Sequence, residues 1–260
     1  MMMIASSGKS ANQSIGPRPS PRVIWANSPL TGCISMFFQI RALTVGMTKS
    51  GEIASTRAIL AFSSGRTLRA MVNQIPSMEQ PQHKIVSIVG NMLHYGLAGR
   101  HEVVMHLSDR VGAQTYPVPT PAVATSVEER DLLQTQRSFL TVKALAEQAK
   151  VTFVGVSYIA WNAPLHEDGF INDAELTELI ELGAVGEIAG WAFNSQGKLL
   201  QAGTNSRVAG VPLQQPAQRL IIGVAGGIRK TEAILAALHG QLISRLITDE
   251  AAATAILIKG

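Results

Sequence analysis

From Ala58 onward, short apolar runs alternate with segments of helical periodicity, and this alternation limits the chain to very few architectures. The runs are "AILAF" (58–62), "KIVSIVG" (84–90), "VTFVGVS" (151–157), "RLIIGVAGG" (219–227) and "ISRLIT" (243–248). Most are apolar at nearly every position, unlike the in/out alternation of a half-solvated strand; "ISRLIT" carries Ser244, Arg245 and Thr248 around its apolar residues. Strands of this kind, separated by helices, predict a parallel sheet covered on both faces. In such sheets ligands bind beyond the carboxyl ends of the strands. The loops to inspect are therefore those after Phe62, Val89, Val156, Phe193, Ala225 and Thr248.

The intervening segments carry helix signals. Pro76 stops the helix that follows "SSGR", and Gly112 ends "EVVMHLSDRVG". "TSVEERDLLQTQRSFLTVKALAEQAK" (125–150) reads as one helix opened by a Thr125/Glu128 capping box. "NDAELTELIELG" pairs Asn172 as N-cap with Glu175 three residues on, and Gly183 follows its end. "GEIAGWAFNSQGKLL" reads as strand, turn and strand, and Asp249 caps the closing helix "DEAAATAILI". "AQTYPVP" is extended and bounded by proline.

Residues 1–57 read differently. They are rich in Ser, Pro and Gly without periodicity, and are expected to be a disordered or non-native leader with no helix-turn-helix. The basic composition resembles a transit peptide, but "PRPSPR" breaks the amphipathic helix that such a peptide needs. The net charge of +4 resides here: residues 1–51 hold Lys9, Arg18, Arg22, Arg41 and Lys49 and no acid. Residues 52–260 are one unit negative, so no broad phosphate-backbone surface for nucleic acid is implied. The run "CISMFF" is far too short to span a bilayer. Cys33 is the sole cysteine, so intrachain disulfides and thiolate metal clusters are excluded and a reducing cytoplasm is expected.

Two loops have the makings of anion sites. "GVAGGIRKT" (223–231) is one residue short of a P-loop, because Arg229 stands where glycine must precede the lysine. The Gly226-Gly227 turn, the helix start behind it and Lys230 fit a phosphate seat; they equally fit a plain tight turn with a solvated lysine. "SSGRTL" (63–68) offers Ser64, Gly65, Arg66 and Thr67, and equally fits a helix N-cap. "IVGNMLHYGLAGRHE" (88–102) places Gly90, Asn91 and His101 over the same crevice or in an ordinary loop. His101 and His106 are five apart and do not share a helix face, so no metal site is expected. Asp168 and Glu187 stand as isolated acids, and neither a catalytic constellation nor a cofactor motif is legible.

Together these stretches resemble the effector-binding domain of the SorC-type (DeoR-like) sugar-binding transcriptional regulators. The resemblance runs from about Ala58 to the C-terminus through "LAFSSGRTLRAMV", "VVMHLSDRVGAQTYPVPTP", "LGAVGEIAGWAFNSQG" and "IIGVAGGIRKTEAILAALHGQLISRLITDEAA". It implies a Rossmann-like α/β domain over 58–260, related to phosphosugar isomerases and deaminases. Such a domain binds a phosphorylated sugar or sugar-like signal and forms a homodimer or homotetramer. The phosphate would meet Ser64, Gly65, Arg66 and Thr67, and the Gly227 helix start with Lys230. The hydroxyl end would face Gly90, Asn91, Glu187 and Asn194. The family carries a helix-turn-helix ahead of this domain, so DNA is a partner only if another chain or a longer form supplies one. Asn194 stands where the family usually has aspartate, and the closing helix has Ala253 or its neighbour where threonine is common. A phosphosugar isomerase on the same fold is the alternative, with Glu187 or Asp168 as its base.

Overall fold

The computed structural model of the protein describes residues 57–259, apart from 94–96, 98 and 100, and the backbone of 22–25, 45–47 and 53–55. Of Asn91 and Met92 the backbone alone is described. Most of the leader therefore lies outside the described residues. Three short strands come from it: β1 (Arg22–Trp25), and the antiparallel pair β2 (Val45–Met47) and β3 (Ile53–Ser55).

The apolar runs become β4 (Ile59–Phe62), β5 (Lys84–Met92), β7 (Val151–Gly155), β11 (Ile221–Val224) and β12 (Arg245–Thr248). They join β1 and the extended segment β6 (Gln114–Pro121) in a seven-stranded sheet, order β1-β12-β11-β7-β4-β5-β6. Every pairing in it is parallel. The expected α/β architecture is therefore observed.

Successive strand residues enter two separate cores, which is why the runs are mostly apolar. Leu60 and Phe62, Ile85, Phe153 and Ile222 pack on one face with α1 (Arg66–Val72) and α2 (Val104–Val111). The Phe62 and Phe153 rings stack there at 5.1 Å. Ala61, Val86, Val154 and Ile221 point to the opposite face, against helices on 137–147 and 231–239. Two-sided burial of this kind leaves few polar positions within the central strands, Thr152 of β7 and Ser87 of β5 among them.

The segment 125–150 differs from the single helix expected. Gln136 takes an extended conformation (φ −63°, ψ 137°) and divides it into α3 (Val127–Thr135) and α4 (Arg137–Glu147). The cap is also shifted by one residue: Ser126 Oγ accepts from Glu129 N–H, and Glu129 reaches back to Thr125. α5 (Pro164–Glu167) is a single turn, and α6 (Asp173–Glu181) opens with the full Asn172/Glu175 capping box. Gly183 follows α6 at φ +77°, as its sequence position implied.

A smaller antiparallel sheet, β10-β9-β8, lies beside the parallel one. It comprises β8 (Ser157–Tyr158), β9 (Ala184–Ile188) and β10 (Trp191–Asn194). β8 continues directly from β7, so this sheet walls the space beyond the carboxyl ends of β4, β7 and β11. α7 (Thr231–His239) and α8 (Glu250–Lys259) complete the chain.

Candidate functional site

A cavity of about 350 Å³ opens where the strand-end rule directs attention. Ser64, Gly65, Arg66, Thr67, His101, Glu187 and Lys230 all line it. Residues separated by up to 166 positions thus meet at one place. Its apolar wall includes Leu68, Val89, Val156 and Phe170.

The 63–67 loop is held rigidly. Ser63 is buried, its N–H donates to the Phe153 carbonyl at 2.9 Å, and its Oγ accepts from Gly155 N–H at 3.0 Å. Gly65 adopts φ +139°, a conformation that side chains disfavour although space for one exists. Its N–H donates to the His101 carbonyl at 3.2 Å, tying the loop to a second one. No side chain caps α1, so the reading of these serines as an N-cap does not hold.

Arg66 lines the cavity and is 47% exposed. Its Nη2 donates to Asp168 Oδ1 at 2.8 Å and to Glu167 Oε2 at 3.0 Å. His101 Nε2 lies 3.8 Å from Asp168 Oδ2. Asp168, an isolated acid in the sequence, therefore faces two cationic or cation-capable groups and itself lines the cavity.

Glu187 sits on β9, and its Oε2 accepts from Gly190 N–H at 3.0 Å. The β9–β10 turn makes that bond possible, with Ala189 at φ 53° and Gly190 at φ 86°. Burial pushes the Glu187 carboxyl up, against the opposing pull of the Gly190 N–H and the Lys230 ammonium. Lys230 ends a single 3-10 turn, Ile228–Lys230. Burial holds its ammonium below the ordinary lysine range; Glu187 opposes that shift and Arg66 adds to it. A desolvated ammonium beside a desolvated carboxyl is a strong polar determinant for whatever enters.

Four expected residues are absent from the lining. Gly226 and Gly227 form the turn, but the Gly227 N–H donates to Asp249 Oδ2 at 2.5 Å. Asp249 also caps α8 through Ala252 N–H at 2.8 Å, so one carboxylate serves two backbone termini. The amide expected to meet a phosphate is already matched within the chain. A Cβ at Gly90 would lie 2.2 Å from the Thr120 carbonyl oxygen, so this glycine serves the contact of β5 with β6. Asn194 accepts from the N–H groups of Gln196 and Lys198, both at 3.0 Å, and builds the hairpin turn. The Asn91 side chain lies outside the described residues.

Conversely, Ser157, Tyr158, Asn162 and Gly190 line the cavity without having been singled out. The antiparallel β8–β9 register brings Ser157 opposite Glu187, a tertiary pairing that the two-residue strand "SY" does not signal in the sequence. Among the described residues, no group of three or more His, Cys, Asp or Glu side chains is placed to hold a metal ion. No helix among them is long and apolar enough to cross a membrane.

Comparison with known proteins places this architecture. Residues 49–258 match the model of the family described as "Putative sugar-binding domain". The erythritol catabolism regulatory protein EryD of Brucella abortus (strain 2308) is 31% identical over 199 residues, covering 76% of this chain and 63% of that protein. The transcriptional regulator LsrR of Enterobacter sp. (strain 638) is 34% identical over 144 residues, covering 54% and 45%. The chain thus matches less than two thirds of the length of either relative. Among solved structures, the full-length sorbitol operon regulator SorC from Klebsiella pneumoniae superposes with a TM-score of 0.74 at 22% identity, covering 90% of this chain and 76% of that one. A transcriptional regulator from Streptococcus pneumoniae TIGR4 superposes at 0.76 with 19% identity, covering 92% and 91%. These two share the fold. With its family model matched over residues 49–258, the chain belongs to the sugar-binding domain family of sugar-responsive transcriptional regulators.

Proposed function

We propose that the cavity receives a phosphorylated sugar or sugar-like signal, and that the chain acts as the effector domain of a carbohydrate-responsive regulator. The carrying observation is the convergence of Arg66, Lys230 and the Ser64–Thr67 loop with the Glu187 carboxyl around about 350 Å³. Cations and hydroxyl donors suit a phosphate, and the Glu187 carboxyl next to Lys230 suits a sugar hydroxyl carried close to it. In this reading Ser64, Arg66, Thr67 and Lys230 hold the phosphate, and Glu187 faces the hydroxyl end with His101 at the rim. Gly65 shapes the loop.

The effector unit comprises 58–260, works in the cytoplasm and assembles as a homodimer or homotetramer. DNA is reached through a helix-turn-helix on another chain or a longer form. The regulators among its relatives favour sensing over turnover, and kinship of the sheet with phosphosugar isomerases and deaminases is part of this reading. The erythritol named for EryD makes four-carbon alditol phosphates natural first probes.

A thermal-shift screen against sugar and alditol phosphates, each paired with its unphosphorylated parent, tests the proposal. A ligand at 100 times its Kd adds about 2.7 kcal/mol, a rise of roughly 5–10 °C for a domain of this size. The expected result is a rise with phosphorylated forms alone. No rise with any of them, or equal rises with the parents, overturns it.

A further inference from the structure

Ser157 lies directly opposite Glu187 across the antiparallel β8–β9 pair. Residues so opposed project from the same face of a sheet, with Cβ atoms about 5 Å apart, and here both line the cavity. Ser157 is only 7% exposed, and its Oγ is buried without a hydrogen-bond partner. Of the described buried polar atoms in that condition, it alone belongs to a residue of the cavity wall. The others, such as His83 Nε2 and Thr248 Oγ1, lie elsewhere in the fold.

A buried hydroxyl without a partner costs free energy that a methyl group in its place would not. Packing gives no reason for a hydroxyl here, because Val156 beside it shows that an apolar side chain suits the same wall. Serine has three staggered χ1 wells, and a single rotation is enough to redirect its hydroxyl. Across from it, Glu187 has one oxygen engaged by the Gly190 N–H. Its other oxygen has acceptor capacity remaining.

We infer that Ser157 and Glu187 form a hydroxyl-reading pair that recognises two neighbouring hydroxyl groups of the ligand. Glu187 engages one hydroxyl through its second oxygen. Ser157 donates to or accepts from the next. The pair is specificity-determining: it selects polyhydroxylated ligands over deoxygenated ones of the same size, while Arg66 and Lys230 hold the phosphate. This inference rests on the reading of the cavity as a sugar-phosphate site.

The test titrates wild-type chain and Ser157→Ala with a panel of four- to six-carbon aldose, ketose and alditol phosphates, and with inorganic phosphate. Loss of one neutral hydrogen bond should weaken the binding panel members about five- to tenfold. Inorganic phosphate affinity should stay the same, and the ligand-free Tm should be unchanged or higher because the hydroxyl has no partner to lose. The deoxy analogue lacking either of two neighbouring hydroxyls should bind wild type more weakly. For the hydroxyl that Ser157 reads, Ser157→Ala should cause no further loss. Unchanged or tighter binding of the panel members by Ser157→Ala overturns the inference and leaves the sugar-phosphate reading standing. Failure of the wild type to bind any panel member overturns both.

Discussion

Arg66 and Asp168, 102 residues apart, are joined by a 2.8 Å hydrogen bond in the cavity wall, and Glu167 adds a second to Arg66 at 3.0 Å. The guanidinium assigned to the phosphate is thus held by two carboxylates, and an incoming anion competes with them. Arg66 is 47% and Glu167 44% exposed, so solvent screens the pairing and its share of stability is small. The double variant Glu167→Gln, Asp168→Asn should bind inorganic phosphate about two- to tenfold more tightly, with stability changed by no more than about 1 kcal/mol. Calorimetric titration checks this. Weaker binding would mean that the carboxylates position Arg66 instead of competing for it.

Glu187 makes stability depend on pH in a direction opposite to an ordinary salt-bridged carboxylate. Burial raises its pKa above the usual 4.5 in the folded chain. A group raised in this way binds its proton more tightly when folded. Its contribution is therefore full below the unfolded pKa and is lost as pH rises through the folded one. Denaturant unfolding of wild type and Glu187→Gln, titrated upward from pH 4.5, should show wild type losing stability relative to the variant. A difference that stays flat over that range would contradict the assignment.

Gly197 shows how the second sheet is locked to α7. It has φ +71°, and a Cβ there would lie 2.0 Å from the Ala236 carbonyl oxygen and 2.6 Å from Gly240 Cα. Gly197→Ala combines left-handed strain with overpacking against backbone, and should cost about 2–4 kcal/mol. Urea unfolding measures it. A loss below about 1 kcal/mol would show that the turn and α7 separate readily.

The central parallel strands were legible because they are buried on both faces, and that burial writes itself as largely apolar runs; the edge strand β6 carries no such run. Local signals were equally readable at Asn172/Glu175 and Gly183, where cap and partner lie within a few residues. The break at Gln136 was not, since no proline or glycine marks it and the helical spacing continues through it. The site divides in the same way. The 64–67 loop, Glu187 and Lys230 carry recognisable chemistry and were identified, and they meet in one cavity. The pairing of the Gly227 amide with Asp249, 22 residues away, depends on a tertiary contact that no local pattern encodes. The same holds for Asp168 beside Arg66. Gly90 and Asn194 were singled out as ligand contacts, whereas close strand approach and turn formation account for them.

Lys230 is proposed to meet the phosphate, and titration of wild type and Lys230→Ala with a binding sugar phosphate and its unphosphorylated parent isolates that contact. Loss of a charged hydrogen bond should weaken the phosphorylated ligand by about 1.5–3 kcal/mol and leave the parent nearly unaffected. Equal weakening of both would rule out a phosphate contact, because Lys230 would then be acting on the sugar or on the shape of the cavity.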